Sequence, residues 1–145
     1  MTPERYQRIR QVLDRRQPDL TVLMDDVHKP QNFSGILRTC DAVGLFEAHA
    51  VTGRRYLETS TVASGGAGKW VRLHAHHSPE EAFEDLRSQG MQVVVTHNGE
   101  GAVDFRSMDY TRPTALVLGA EQDGPSAESL ARADTWIPVP IAGMA

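Results

Sequence analysis

No stretch of this 145-residue chain approaches the ~18 consecutive apolar residues that a membrane-crossing helix needs. No charged-then-apolar leader opens it, so a cytoplasmic protein without a membrane partner is expected. A single cysteine, Cys40, excludes an intrachain disulfide, and its helical phase with Phe33, Ile36 and Leu37 makes it a small core residue rather than a nucleophile. No GxGxxG opens a helix, which argues against a dinucleotide fold. The nearest approach to a phosphate loop, SGGAGKW, has Ala63 where that pattern requires glycine and Trp70 where it requires Ser or Thr. Lysine is missing from the first eighteen residues, which instead hold five arginines.

What is present is one domain's worth of core, 40% hydrophobic, with an uneven charge. Residues 1–18 carry +3 and the remainder −7, against a total of −4. Arg5, Arg8, Arg10, Arg15 and Arg16 suit phosphate, because a guanidinium offers a bidentate fork. The same residues suit a solvated amphipathic helix equally well, and composition does not choose between them.

In chain order, Thr2-Pro3-Glu4 predicts a capped helix with Tyr6, Ile9, Val12 and Leu13 as its buried stripe, ending near Gln17-Pro18. Leu20 to Met24 is apolar and β-branched enough for a strand. Lys29-Pro30 stops it, and Asn32 is expected to cap a helix running to Gly44. Phe46 to Val51 follows as a strand, then a polar turn over 53–61, then a short strand from Val71 to Ala75. Ser78-Pro79-Glu80-Glu81 opens a helix reaching Ser88, with Gly90 at its end. Met91 to Thr96, Ala115 to Leu118 and Trp136 to Val139 are the remaining strands, with a turn-rich connection around Asp104-Phe105-Arg106 and Asp109-Tyr110 and a helix from Ser126 to Ala133. Near-continuous apolar strands alternating with helices predict an α/β fold, a parallel sheet with helices on both faces.

Ligands collect at the carboxyl ends of such strands, where three loops should converge: His28 to Asn32, Thr96 to Asn98, and Gly119-Ala120-Glu121. His74, His76 and His77 have no Cys or acid beside them at a zinc-like spacing, so no metal is expected. Ser34 and Arg38 lie four apart on one helical face. By spacing alone, a solvated Arg and a capping Asn account for that helix better than a site does.

Three stretches carry more: HKPQNFSGILRTCDAVG, DFRSMDYTRPTALVLGAEQDG and the closing IPVPIAGM. Together with RRQPDLTV they resemble, in register over nearly the whole chain, the SPOUT-class tRNA 2′-O-ribose methyltransferases of the TrmH type. The resemblance implies S-adenosylmethionine as methyl donor and, as acceptor, the ribose of a D-loop guanosine, position 18 in tRNA numbering. It also implies a homodimer, a C-terminal trefoil knot, and a division into a basic helical arm at 1–18 and a methyltransferase domain at 19–145. Carried over by position, it puts Arg38 at the catalytic centre with Asn32 to orient it and Glu121 at the pocket rim. Thr96, Gly119, Val139 and Ile141 fall around the cofactor, and Arg8, Arg15 and Arg16 on the RNA. Two departures follow. Gln31 stands where many relatives have His, and the chain stops at Ala145, before the family's third motif, so one wall of the pocket and the completion of the knot are expected to be missing.

The reaction would be in-line attack of a ribose oxygen on a sulfonium methyl. A neutral hydroxyl is a poor nucleophile, and Arg38, effectively always protonated, is a poor base. The expectation is that Arg38 binds the developing alkoxide and a neighbouring phosphate, with that phosphate or water taking the proton. A non-catalytic RNA-binding relative or an inactive fragment is the alternative reading, and a small-molecule-binding α/β domain a third.

Overall fold

The computed structural model describes residues 1–51 and 67–143. Six strands build its sheet: β1 (Leu20–Asp25), β2 (Glu47–Val51), β3 (Arg72–His76), β4 (Gln92–Thr96), β5 (Thr114–Leu118) and β6 (Thr135–Ile137). Their order is β3-β2-β1-β5-β4-β6 and every pairing is parallel, as the apolar runs predict. Leu23 at the centre pairs in register with His49 on one side and Val117 on the other. β6 is shorter and earlier than its predicted span because Pro138 cannot donate to a ladder.

Among the described residues four helices accompany the sheet: α1 (Pro3–Leu13), α2 (Pro30–Ala42), α3 (Pro79–Ser88) and α4 (Ala127–Arg132). Local capping chemistry sets three of their starts. Thr2, Ser78 and Ser126 each accept from the amide three residues on. The start of α2 departs from expectation. Lys29 occupies its N-cap without a side-chain bond and Pro30 is the first helical residue, so Asn32 lies one turn inside and is not the cap. Proline has no amide to satisfy at that position, which lets the helix begin there uncapped.

α1 departs further: it buries none of its residues, Tyr6 is 52% and Leu13 57% exposed, and Ile9 and Val12 are only half-buried. It also ends at Leu13, because the chain then turns to run beside Leu45, where Gln17 N donates to Gly44 O at 2.8 Å. The expected turn over 53–61 and most of the glycine-rich SGGAG lie outside the described residues. Ala67–Lys69 forms a 3₁₀ turn.

The core divides by strand parity. On one face Val22, Met24, Ala48 and Ala50 pack with Phe33, Leu37 and Cys40 of α2. Cys40 is buried, and burial pushes its thiol up to about 11, in keeping with a core role. On the other face Leu23, Val93, Val95, Ala115 and Val117 pack with Ala82, Phe83 and Leu86 of α3. Each fully buried large side chain contributes about 1.5–3 kcal/mol of transfer free energy. Among the described residues no helix is long and apolar enough to cross a membrane.

Candidate active site

β1 and β5 are neighbours whose outgoing connections diverge: the chain leaves β1 toward β2 and leaves β5 toward β6, on the far side of β4. That divergence opens a crevice at the carboxyl ends of the two strands. Here Asp25, 2% exposed at the end of β1, accepts from Ser126 N at 2.7 Å, tying the two outgoing segments together. Asp26 turns the chain at φ 57°, a left-handed conformation that Asp tolerates better than most residues.

Above this link Asn32 Nδ2 donates to Glu121 Oε1 at 2.9 Å, and Lys29 N donates to the same oxygen at 3.3 Å. His28 Nδ1 lies 3.5 Å from the other oxygen, Glu121 Oε2, which is buried without a hydrogen-bond partner. Burial raises the affinity of Glu121 for a proton. Hydrogen bonds from its own amide, Asn32 and Lys29, with the His28 charge, outweigh that and hold the carboxyl below its ordinary value. Two predicted site residues, Asn32 and Glu121, are thus in contact although 89 positions apart. His28 and Lys29 join them, and only the convergence of loops pointed to that.

Gly119 makes the approach possible. A Cβ there would stand 2.0 Å from Pro125 N and 2.1 Å from Gly124 C, so no other residue fits under the returning loop. Ala120 and Gly124 exchange two 3.0 Å backbone bonds, and Gly124 takes φ 70° to close the turn.

The loop after β4 does not join this cluster. Thr96 Oγ1 donates to Val117 O at 2.9 Å, and His97 is held beside β6 by its amide bond to Ile137 O. Thr96 instead lines a cavity of about 510 Å³ with Leu20, Leu116, Leu118, Ile137 and Val139. Leu20, Leu116 and Leu118 also line an adjoining cavity of about 630 Å³ that reaches Asn32, Gly119 and Glu121. The two make one apolar trough along the α2 face of the sheet. Of the four positions assigned to the cofactor, Thr96, Gly119 and Val139 border it. Ile141 is 57% exposed and borders neither cavity.

Arg38 is exposed on α2 and forms no ion pair with any described residue. It does not touch Asn32: six positions at 100° each set the two side chains about 120° apart around the helix. The expected orienting contact is therefore replaced by the bond from Asn32 to Glu121.

The arm arginines divide. Arg16 is 8% exposed; its Nη2 donates to Asp41 Oδ1 at 3.1 Å and its Nη1 to Leu45 O, so it anchors the arm's end to the domain. That differs from the expected RNA contact, because the turn after α1 points Arg16 inward. Arg8 on α1 and Arg15 in the turn after it are exposed and border a groove of about 530 Å³ with Val12 and Trp70. Trp70 is 52% exposed and is an aromatic surface that the sequence did not single out.

Residues 19–145 match the model of the SpoU rRNA Methylase family. The chain belongs to that family. Similar SpoU-family proteins include the tRNA (guanosine(18)-2′-O)-methyltransferases of Thermus thermophilus, 53% identical over 143 residues, and of Escherichia coli (strain K12), 49% identical over 144. Each alignment covers 99% of this chain, but 74% of the first relative and 63% of the second. Among solved structures, the A. aeolicus TrmH/SpoU tRNA modifying enzyme superposes with a TM-score of 0.85 at 38% identity, over 98% of this chain and 73% of that one. The SpoU methyltransferase AviRb from Streptomyces viridochromogenes, solved in complex with AdoMet, gives 0.78 at 26%, over 92% and 54%. A six-stranded parallel sheet with helices on both faces is the fold this chain has in common with them.

Proposed function

We propose that the protein is an S-adenosylmethionine-dependent tRNA 2′-O-ribose methyltransferase acting on the D-loop guanosine at position 18. The observation that carries this is identity near one half, over 99% of the chain, to enzymes named for that reaction. In this reading residues 1–18 are a basic RNA-binding arm and 19–145 the methyltransferase domain, beginning where the family model begins. A cytoplasmic homodimer with the family's trefoil knot belongs to the same reading.

The residues fit the cofactor. The trough is of small-molecule size and apolar, and the orphaned Glu121 Oε2 at its end suits a cationic or hydroxyl-bearing ligand. When bound, S-adenosylmethionine supplies an electrophilic methyl group. Thr96, Gly119 and Val139 would hold it, with Ile141 reaching it once the closing segment folds over. Asn32 and Glu121 keep the loop after β1 fixed against the loop after β5. Arg38, exposed and without an ion pair among the described residues, is available to a phosphate and to the ribose oxygen as it loses its proton to that phosphate or to water. Arg8 and Arg15, which line one groove with Trp70, offer phosphate contacts and a stacking face.

The test is Arg38→Ala with unmodified tRNA and labelled cofactor. Methyl transfer should fall by at least two orders of magnitude while calorimetric cofactor affinity stays within about twofold, because the guanidinium is assigned to the reacting oxygen. Arg38→Lys should not rescue, since a point charge lacks the planar fork. Cofactor affinity collapsing together with turnover would overturn the assignment. A wild-type protein that binds tRNA without methylating it would favour the non-catalytic alternative.

A further inference from the structure

The methyltransferase reading leaves a cluster on the α3 face of the sheet unused. β2 and β3 are paired so that His49 stands opposite His74, with His76 one pleat further along the same face. The His49 ring lies nearly parallel to both, with centroids 4.8 Å from His74 at 17° and 5.2 Å from His76 at 11°; toward His76 the two rings meet edge to edge, nitrogen to nitrogen. α3 packs over this face and brings Asp85 to the pair formed by His49 and His76. His49 is 1% exposed and His76 5%, and the far nitrogen of His49, Nε2, is buried with no hydrogen-bond partner.

We propose that His49 Nδ1, His76 Nε2 and Asp85 Oδ2 form a site for one divalent transition-metal ion of the zinc class. The two ring nitrogens are 2.9 Å apart and each is 3.8 Å from the carboxylate oxygen. A point equidistant from three atoms so placed lies about 2.1 Å from each, the bond length zinc makes to imidazole and carboxylate. Without an ion the short contact between the two nitrogens is a single shared proton, and an ion replaces it. The opposite nitrogen of His76, Nδ1, faces Glu81 Oε1 at 3.9 Å, the side from which a carboxylate commonly orients a ligating histidine. Glu81 is itself fixed, since its Oε2 accepts from His77 N at 2.8 Å and its amide donates to the Ser78 cap. Asp85, with its side chain 40% exposed, leaves a fourth position open to water. An ion there clamps the edge strand β3 to β2 and α3.

Spacing along the chain gave no hint of this, because the acid lies nine positions after His76 and the second histidine twenty-seven before it. A second grouping, Glu47, His49 and His74, overlaps it through His49. There Glu47 Oε2 lies 3.0 Å from His74 Nε2 without a hydrogen bond between them, and no further carboxylate among the described residues faces that ring.

The test uses the purified, chelator-dialysed protein, titrated with zinc chloride by calorimetry and with cobalt(II) by visible absorption. One ion per chain is expected, with the d–d bands of four-coordinate cobalt and a melting temperature that rises with zinc. Asp85→Asn, a change at a partly exposed helix position, should weaken zinc at least tenfold and abolish the thermal shift while leaving the metal-free melting temperature unchanged. His76→Gln should do the same to zinc binding. Glu47→Gln and His77→Ala should bind as wild type. No saturable binding by the wild-type protein, or zinc affinity in Asp85→Asn equal to wild type, overturns the site. So does loss of binding in Glu47→Gln with Asp85→Asn unaffected.

Discussion

Under α3 and α4 the sheet closes over Phe83, Leu86, Val93, Val95 and Val117, each 0% exposed. On the opposite face α2 covers only β1 and β2, and Leu116, Leu118 and Thr96 stay half-buried along an open trough. The difference separates two tasks within one sheet. The closed face supplies stability through fully desolvated side chains. The open face keeps concave apolar surface and an ionised carboxylate within reach of a ligand, which a closed face could not do without burying an unpaired charge.

Truncation on each side should expose the asymmetry most strongly. Phe83→Ala should destabilise the fold by about 3–5 kcal/mol in chemical denaturation, because its surroundings cannot relax into the void. Leu118→Ala, at the trough's edge, should cost roughly 1 kcal/mol, since water already reaches it, while weakening cofactor binding several-fold. Equal losses at both positions would mean that the open face is closed in solution.

Gly119→Ala attacks the boundary between the two faces. The added methyl meets backbone atoms of Gly124 and Pro125, not a flexible side chain, so the loop carrying Glu121 must move. The expected cost is about 1–3 kcal/mol. Cofactor affinity measured calorimetrically should fall by more than the stability loss explains. Retention of wild-type affinity would show that the loop after β5 does not bound the pocket.

The arm gives a subtler contrast between anchored and free arginines. Arg8→Ala with Arg15→Ala should lower the slope of log tRNA affinity against log salt by about 1.5, as two phosphate contacts disappear. Arg16→Ala should change that slope little and lower the melting temperature instead, since Arg16 serves Asp41 and Leu45. If Arg16 moves the slope and the other two do not, the arm is docked differently on RNA.

The smallest effect concerns acid. Glu121 has a folded-state pKa below its ordinary 4.5, so its contribution to stability is complete above that value and is lost as pH falls through the folded pKa. Glu121→Gln should therefore be less stable than wild type by about 1 kcal/mol at neutral pH, the two converging in thermal melts as pH falls through the lowered folded-state pKa. A gap that persists at low pH would mean that the charge is not what holds Asn32 and Lys29.

Elements whose cause lies within a few residues were legible from the chain. Ser78-Pro79-Glu80-Glu81 specified the start of α3, and the run from Met91 to Thr96 specified a strand covered on both faces. Asn32 was misplaced as a cap because its true partner is remote: a residue's hydrogen-bonding capacity is visible in the sequence, and which distant group consumes it is not. The same holds for the α1 stripe, whose helical period was right and whose burial was not, because periodicity says which side chains share a face and not whether anything covers that face.

Residue order alone determined the parallel α/β architecture and the core role of Cys40, since propensity, capping and burial period act locally; of the three loops it expected to converge, those after β1 and β5 do meet and the one after β4 does not. Tertiary structure alone decided that Asn32 serves Glu121, that Arg16 turns inward while Arg8 and Arg15 stay exposed, and that His49, His76 and Asp85 meet. Those outcomes depend on strand order and helix docking, which join atoms tens of residues apart through distances no sequence spacing encodes.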